Sequence, residues 1–149
     1  MDKEIFKKGI KFKCQGSSIC CISRRSYGYV YLSKKDLANI VNYFNISINL
    51  FKKKYCDYSD GYLHLKEIHS NGNCQFLDNK RCTIYTARPT QCRTWPFWKE
   101  NMNSKKWNKE ILSFCPGIGK GRKISFIKIK NKIKLDIKNE TNIIKKSEF

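Results

Sequence analysis

The chain of 149 residues is long enough for one domain with its own hydrophobic core, so it does not need the disulfides of small secreted proteins. Its first residues lack the apolar core of a signal peptide, and no apolar run reaches the roughly 18 residues of a membrane span. The formal net charge is +19, but few of the 31 basic residues are arginine, the side chain best suited to hydrogen-bond phosphates and bases. These features predict a cytoplasmic protein with no membrane span, reduced cysteines and a solvated basic surface, and they argue against a nucleic-acid partner.

The first predicted elements are a short strand and two helices. Residues Tyr29–Leu32 alternate in polarity as a strand does. Ser33 begins a Ser-x-x-Asp capping pattern, and apolar residues follow at helical spacing, which predicts a helix over Lys34–Phe44. Ser47 can cap a second, shorter helix that ends at about Tyr55.

The middle of the chain reads as strands joined by polar turns. A linking stretch, Asp57–Gly61, leads to a predicted strand near Tyr62–Ile68. An Asn-Gly-Asn turn signal then precedes a predicted hairpin with strands Cys74–Leu77 and Cys82–Tyr85. Pro89 suits the first turn of a helix, because its missing N–H would have no partner there.

The last part of the chain gives weaker signals. Three glycines between residues 117 and 121 predict a tight turn. The isoleucines that follow Phe126 fit both the alternation of a strand and the stripe of a helix, so both remain open. The tail Asn139–Phe149 is predicted to fray.

Seven of the eight cysteines fall into three local groups on loops rich in glycine and proline. Thiolates are soft ligands that favour zinc, copper(I) and iron–sulfur clusters, and four of them complete a structural zinc site or hold a cluster. This grouping predicts a metal site. The groups are Cys14, Cys20 and Cys21; Cys74, Cys82 and Cys92; and Cys115.

The eighth cysteine and the two histidines have simpler interpretations. Cys56 stands alone between a helix and a polar stretch, where a cysteine is usually a small buried hydrophobe. His64 and His69 lie in a strand-like segment and are predicted to be core or surface residues rather than bases or ligands. The cysteine count is even, but chain length and compartment argue against disulfides.

Two arginines lie close to the central cysteines in sequence. Arg88 precedes a proline and Arg93 follows Cys92, so both can pair with Asp78 in a purely structural role. The alternative is that they offset the negative charge of a thiolate-rich site.

The residues around the cysteines resemble a known family. The central run contains Cys-x-Phe-Leu, Cys-x-Ile-Tyr and Arg-Pro-x-x-Cys-Arg-x-x-Pro-Phe, and Cys-Pro-Gly follows at Cys115. From Phe12 to about Gly121 the chain resembles the YkgJ-type cysteine-cluster family, the zinc- or iron-chelating domain with the signature C-x-x-C-x-x-C-C. Its cysteine region is similar to that of flagellin lysine N-methylase, which transfers methyl groups from S-adenosylmethionine.

The resemblance implies that the seven grouped cysteines are metal ligands. The second cysteine of the family signature falls on Ser17 in this chain, and a serine hydroxyl is a weak ligand beside a thiolate. We therefore hypothesise one closed four-thiolate site and one three-thiolate site with an open coordination position. The implied ligands are Cys14, Cys20, Cys21, Cys74, Cys82, Cys92 and Cys115.

The combined prediction is a small α+β domain with short strands and a few helices around a cysteine-rich metal site. An N-terminal extension is expected over residues 1–11, the cysteine-cluster domain over 12–122, and a basic, partly ordered segment over 123–149. The predicted function is binding of an iron–sulfur cluster or zinc, with a protein substrate or partner possible. The alternatives are a methyltransferase-like enzyme that modifies protein lysines and a zinc-stabilised nucleic-acid-binding module.

Overall fold

The fold combines short helices with paired strands around two hydrophobic cores. A computed structural model describes residues 3–13, 29–68, 74–79 and 81–148. The described strands form two-stranded antiparallel sheets, and helices pack on both cores. The predicted α+β class is confirmed.

Helices occur along most of the described chain. A π-helical turn, Trp107–Ile111, joins α5 to α6, and a 3-10 turn, Tyr85–Ala87, precedes α4. Two further 3-10 turns cover Lys99–Asn101 and Lys146–Glu148. The α-helices are α1 (Lys3–Phe6), α2 (Lys34–Phe44), α3 (Ile48–Tyr55), α4 (Thr90–Thr94), α5 (Ser104–Lys106), α6 (Leu112–Phe114) and α7 (Phe126–Thr141).

The strands pair antiparallel in three separate sheets: β1 with β6, β2 with β3, and β4 with β5. These pairs fix the ends of several helices without forming a continuous sheet. The strands are β1 (Ile10–Phe12), β2 (Cys56–Ser59), β3 (Tyr62–Leu65), β4 (Leu77–Asp78), β5 (Arg81–Cys82) and β6 (Ile118–Ile124).

Local capping defines α2 and α3, as the sequence predicts. The Ser33 hydroxyl accepts a hydrogen bond from the Asp36 N–H at 3.1 Å, and the Ser47 hydroxyl accepts one from the Leu50 N–H at 3.1 Å. Each bond satisfies an N–H that a helix start leaves unpaired. The helix bounds of α2 match the prediction, and α3 ends at Tyr55 as expected.

The first core lies between α2, α3 and the β2–β3 hairpin. The predicted linking stretch, Asp57–Gly61, is wrong, since most of it belongs to β2 and to the turn that follows. Asp60 and Gly61 both adopt positive φ, which produces a tight turn and lets β2 pair directly with β3. The predicted strand near Tyr62–Ile68 exists but ends at Leu65.

The C-terminal tail completes this first core instead of fraying. Ile144 is fully buried, and its N–H donates to the Leu32 carbonyl at 3.0 Å while its carbonyl accepts from the Leu63 N–H at 2.9 Å. The predicted fraying of Asn139–Phe149 is therefore wrong for residues 143–145, because an apolar side chain and two backbone bonds hold them. In place of the predicted strand at Tyr29–Leu32, the structure has one isolated bridge, between Tyr31 and His64.

The second core contains α1, the helical residues 104–114, the β1–β6 pair and α7. The Phe6 and Trp107 rings meet edge to face at 5.0 Å, and Ile129 of α7 is fully buried among them. Of the two interpretations left open after Phe126, the helix is the observed one. The predicted division into residues 1–11, 12–122 and 123–149 stays a prediction.

Two local predictions need correction near the cysteines. Of the three glycines after Cys115, Gly117 lies in a turn as predicted, whereas Gly119 and Gly121 belong to β6, where they have positive φ and the strand pairs with β1. The hairpin strands are shorter than predicted, with Leu77 opposite Cys82 in a two-residue ladder. Pro89 lies at the residue before α4.

Candidate metal centre

The helix that carries Cys92 is attached to both cores. Asp36 of α2 accepts hydrogen bonds from the Thr90 N–H at 3.0 Å and from the Thr90 hydroxyl at 2.8 Å. At the other end of α4, the Thr94 hydroxyl lies 3.4 Å from Asp136 Oδ1 of α7 in donor geometry. A five-residue helix is not stable alone, so these two carboxylates determine where α4 lies.

Asp36 is the buried centre of the first attachment. It is 1% exposed, and Arg93 Nη2 lies 3.8 Å from its Oδ1 and donates to the Thr90 hydroxyl at 3.0 Å. Arg93 is thus within ion-pair distance of Asp36 rather than of the predicted Asp78. Arg88 instead stacks over the Tyr85 ring at 3.8 Å.

Four of the seven predicted ligands lie in the described residues, and each is partly buried. Cys74 and Cys82 flank the β4–β5 hairpin and pack against the first core. Cys92 lies on α4, between the two cores. Cys115 directly follows α6 and packs against the second core. The described cysteines therefore come from both cores and from the helix that joins them.

The other three predicted ligands, Cys14, Cys20 and Cys21, lie outside the described residues, as does Ser17. Within the described ranges, no three cysteine sulfurs lie within 4.8 Å of one another. The predicted seven-cysteine set is therefore placed only in part.

The chain enters residues 14–28 beside Cys115. The Lys13 N–H donates to the Gly117 carbonyl at 3.0 Å, and a Cβ on Gly117 would lie 2.4 Å from the Lys13 carbonyl oxygen. Only glycine allows the two backbones to approach this closely. Cys14 follows this contact directly, and Cys115 precedes it by two residues.

The chain leaves residues 14–28 beside Cys92. The Gln91 amide donates to the Tyr29 carbonyl at 3.1 Å and accepts from the Tyr31 N–H at 3.1 Å. One side chain thus pairs with two backbone groups, much as a neighbouring strand would. The exit of the segment is therefore fixed to the residue that precedes Cys92.

His64 supports this exit from the core side. It is buried, its ring stacks on Tyr29 at 3.7 Å, and its two nitrogens lie 2.8 Å from the Ser59 hydroxyl and 2.8 Å from the Leu65 carbonyl. The prediction that His64 is a core residue is confirmed. His69 lies outside the described residues.

Cys56 differs from the four partly buried cysteines. It is 5% exposed inside the first core, and burial raises the pKa of its thiol to about 12 against the opposing charges of Lys52 and Lys66. A thiol with so high a pKa is a poor metal ligand, because the thiolate is the binding form. Cys56 is confirmed as a small buried hydrophobe.

Sequence reasoning missed a group of three carboxylates near the end of α7. Glu100, Asp136 and Glu140 place oxygens within 4.8 Å of one another, and Lys99 pairs with Glu140 at 2.9 Å. Burial, followed by the charges of the two glutamates, raises the pKa of Asp136 to about 6. No spacing rule could reveal this group, since α7 packs on Glu100 from far along the chain.

None of the helices that the structure describes has both the length and the apolar character needed to span a membrane.

Comparisons with known proteins agree with the cysteine pattern. Residues 13–116 match the family CxxCxxCC, described as "Putative zinc- or iron-chelating domain". The uncharacterized protein MJ0661 of Methanocaldococcus jannaschii is 32% identical over 121 residues, which cover 77% of this chain and 62% of that protein. This chain therefore spans less than two thirds of that relative's length. No solved structure matches this chain. The chain belongs to the CxxCxxCC family of zinc- or iron-chelating domains.

Proposed function

We propose that the chain holds an iron–sulfur centre at the junction of its two cores. One observation carries the proposal: Lys13 and Tyr29, which flank residues 14–28, are bonded to Gly117 and Gln91, and these lie next to Cys115 and Cys92 in sequence. The ligands would be Cys14, Cys20, Cys21, Cys74, Cys82, Cys92 and Cys115.

The two anchors support convergence of the ligands. Cys14 is the residue after Lys13, and the Lys13 N–H is bonded to Gly117, two residues after Cys115. The return of the chain at Tyr29 limits how far the intervening cysteines can lie from α4. Fixing both ends also reduces the conformational entropy lost when the ligands assemble.

Burial separates the proposed ligands from the non-ligand cysteine. Cys74, Cys82, Cys92 and Cys115 are partly buried, whereas Cys56 lies inside an apolar core. Partial exposure allows deprotonation and metal entry, and full apolar burial prevents both. The proposed site combines these described thiols with the cysteines of residues 14–28.

The number of thiols favours iron–sulfur over a single zinc ion. One zinc tetrahedron uses four thiolates, which leaves three of the seven unused. A cluster on three thiolates has an iron without a protein ligand, in agreement with Ser17 at the position of the missing cysteine. Such a cluster would supply electron transfer or a coordination position for a small ligand.

Metal analysis tests this proposal. The protein would be purified without oxygen, and iron, zinc and acid-labile sulfide would be counted per chain together with the visible absorption spectrum. We expect iron and sulfide in similar amounts. One zinc per chain without sulfide would contradict the iron assignment, and absence of any metal would contradict the site.

Matched cysteine variants locate the ligands. Cys92→Ser removes a proposed ligand on α4, and we expect it to lower iron and sulfide content and to weaken the visible absorption. Cys56→Ala removes the thiol of the first core and should leave the metal content unchanged. Equal metal loss in the two variants would contradict the ligand assignment.

Three further predictions remain separate from this proposal. The cytoplasmic location, a protein partner and a lysine-methylating activity draw no support from any contact among the described residues. Incubation of the iron-loaded protein with labelled S-adenosylmethionine and flagellin tests the enzyme alternative, and absence of label transfer would reject it.

A further inference from the structure

Lys132 of α7 lies against the helix that carries Cys92. Its Nζ donates to the Arg93 carbonyl at 3.5 Å, at the C-terminal part of α4. Lys132 is partly buried, whereas Lys128, Lys130, Lys134 and Lys138 on the same helix are exposed. One lysine of α7 is therefore directed to α4 and held there.

The charges of two arginines, Arg88 and Arg93, also act on Lys132. The two arginines lie on either side of Cys92 in sequence. Burial is the largest cause that lowers the pKa of Lys132, and the two guanidinium charges add to it. The charges of the two arginines thus oppose that of Lys132, which is held against α4.

The described carboxylates neutralise the positive charges of Arg88, Arg93 and Lys132 only in part. Asp36 lies 3.8 Å from Arg93 but already accepts two hydrogen bonds from Thr90. Among the described residues, neither Arg88 nor Lys132 lies within 4.0 Å of a carboxylate oxygen. The partly buried charge of Lys132 is unfavourable beside other positive charges unless a negative group lies near it.

Metal-bound thiolates supply such a group. Four thiolates around a divalent ion carry a net charge of about −2, which favours nearby cations that do not themselves bind the metal. Cys92 lies between the two arginines in sequence, and the adjacent residue, Arg93, accepts the Lys132 hydrogen bond. A centre at Cys92 would therefore place negative charge one residue from the backbone group that Lys132 contacts.

We propose that Lys132 is a positioning residue of the metal centre: its charge, held against the backbone of the residue after Cys92, favours an anionic centre there and thereby strengthens metal binding. The inference rests on the proposed function. It also assigns a role to α7, which lies beyond the matched residues 13–116, so the basic C-terminal segment takes part in the site.

The test compares two lysines of one helix. Lys132→Gln removes the charge at α4, and Lys134→Gln removes an equal charge from an exposed position two residues further on. Metal affinity would be measured by competition with a chelator. We expect Lys132→Gln to weaken affinity about tenfold and Lys134→Gln to change it less than about twofold, since an exposed charge is screened by solvent.

Two further variants separate charge from packing. Lys132→Met keeps much of the aliphatic stem without the charge, and Lys132→Arg keeps the charge. We expect Lys132→Met to lose affinity like Lys132→Gln, and Lys132→Arg to stay close to the unchanged protein. If Lys132→Met binds as tightly as the unchanged protein, or Lys132→Gln matches Lys134→Gln, the inference is overturned.

Failure of this inference and failure of the proposed function are distinguishable. If the unchanged protein binds no metal, the proposed function fails and the inference with it. If the unchanged protein binds metal and the two glutamine variants bind equally, only the role of Lys132 is rejected. When the centre contains iron, its reduction potential gives a second measurement, and loss of the Lys132 charge should lower it more than loss of the Lys134 charge.

Discussion

Replacement of Asp36 by alanine tests the attachment between α2 and α4. The carboxylate accepts two hydrogen bonds from Thr90, at 3.0 Å and 2.8 Å, and it is 1% exposed. Without it, two buried donors lose their acceptor, and each such loss costs about 1–3 kcal/mol. Arg93 adds little, because its side chain is 39% exposed and stays hydrated.

These contributions predict that Asp36→Ala lowers the free energy of unfolding by about 3–5 kcal/mol. A domain of this size has about 5–15 kcal/mol in total, so the variant would be close to unfolding. Asp36→Asn retains one acceptor oxygen, so its free energy of unfolding should fall by about 1–3 kcal/mol. This variant should stay folded and can be compared with the unchanged protein.

Urea unfolding of the metal-free proteins provides the assay, with equal m-values as the condition for comparing midpoints. Asp57→Ala is the control, since the Asp57 side chain is exposed and, within the described part of the chain, accepts a hydrogen bond only from the N–H of the next residue. It should change stability by less than about 0.5 kcal/mol. A loss below about 1 kcal/mol for Asp36→Ala would refute the reasoning from buried donors.

The remaining predictions concern an anchor, a buried carboxylate and a buried thiol. Gly117→Ala should reduce metal content, because its Cβ would lie 2.4 Å from the Lys13 carbonyl oxygen. Gly119→Ala strains a backbone at φ +88 but meets no atom within 4 Å, so it should lower stability while the metal stays bound, and equal metal loss in both variants would contradict the anchor. Burial and two glutamates raise the pKa of Asp136 from 3.8 to about 6, so the folded protein binds the proton more tightly than the unfolded chain and loses stability as the pH rises through this range. Asp136→Asn should therefore be more stable than the unchanged protein at pH 7 and no more stable near pH 4 in urea titrations, and no gain at pH 7 would contradict the cause assigned to the shift. The pKa of about 12 predicts that Cys56 stays unlabelled by a thiol reagent at pH 8 until urea unfolds the protein, and mass spectrometry of labelled peptides would show any earlier reaction.

Local signals predicted the helices that depend on local contacts. Ser33 and Ser47 each bond to an N–H three residues on, so α2 and α3 were visible in the sequence. The elements that depend on partners far along the chain were not predicted correctly. The glycines of β6 resemble a turn until β1 pairs with them, and Ile144 looks like part of a loose tail until Leu32 and Leu63 bond to it.

The same distinction applies to the candidate site. Cysteine spacing and flanking residues identified the family, because thiol ligands leave a pattern in sequence. The bonds that position those cysteines leave none, since Asp36 lies 54 residues from Thr90 and Gln91 lies 62 residues from Tyr29. A glutamine that pairs with a strand-like backbone looks like any surface glutamine until the fold is known.

The pairing of β1 with β6 has a consequence for the speed of assembly. Lys13 and Gly117 come from distant parts of the chain, so their encounter belongs to folding of the polypeptide and not to capture of the metal. Once they meet, the long stretch of chain between Lys13 and Gly117 is already closed, so a ligand bonded to Lys13 does not have to find Cys115 by diffusion of a long loop. The folded apoprotein is therefore expected to take up its metal at a rate set by metal concentration, whereas the unfolded chain would be limited by closure of the long loop.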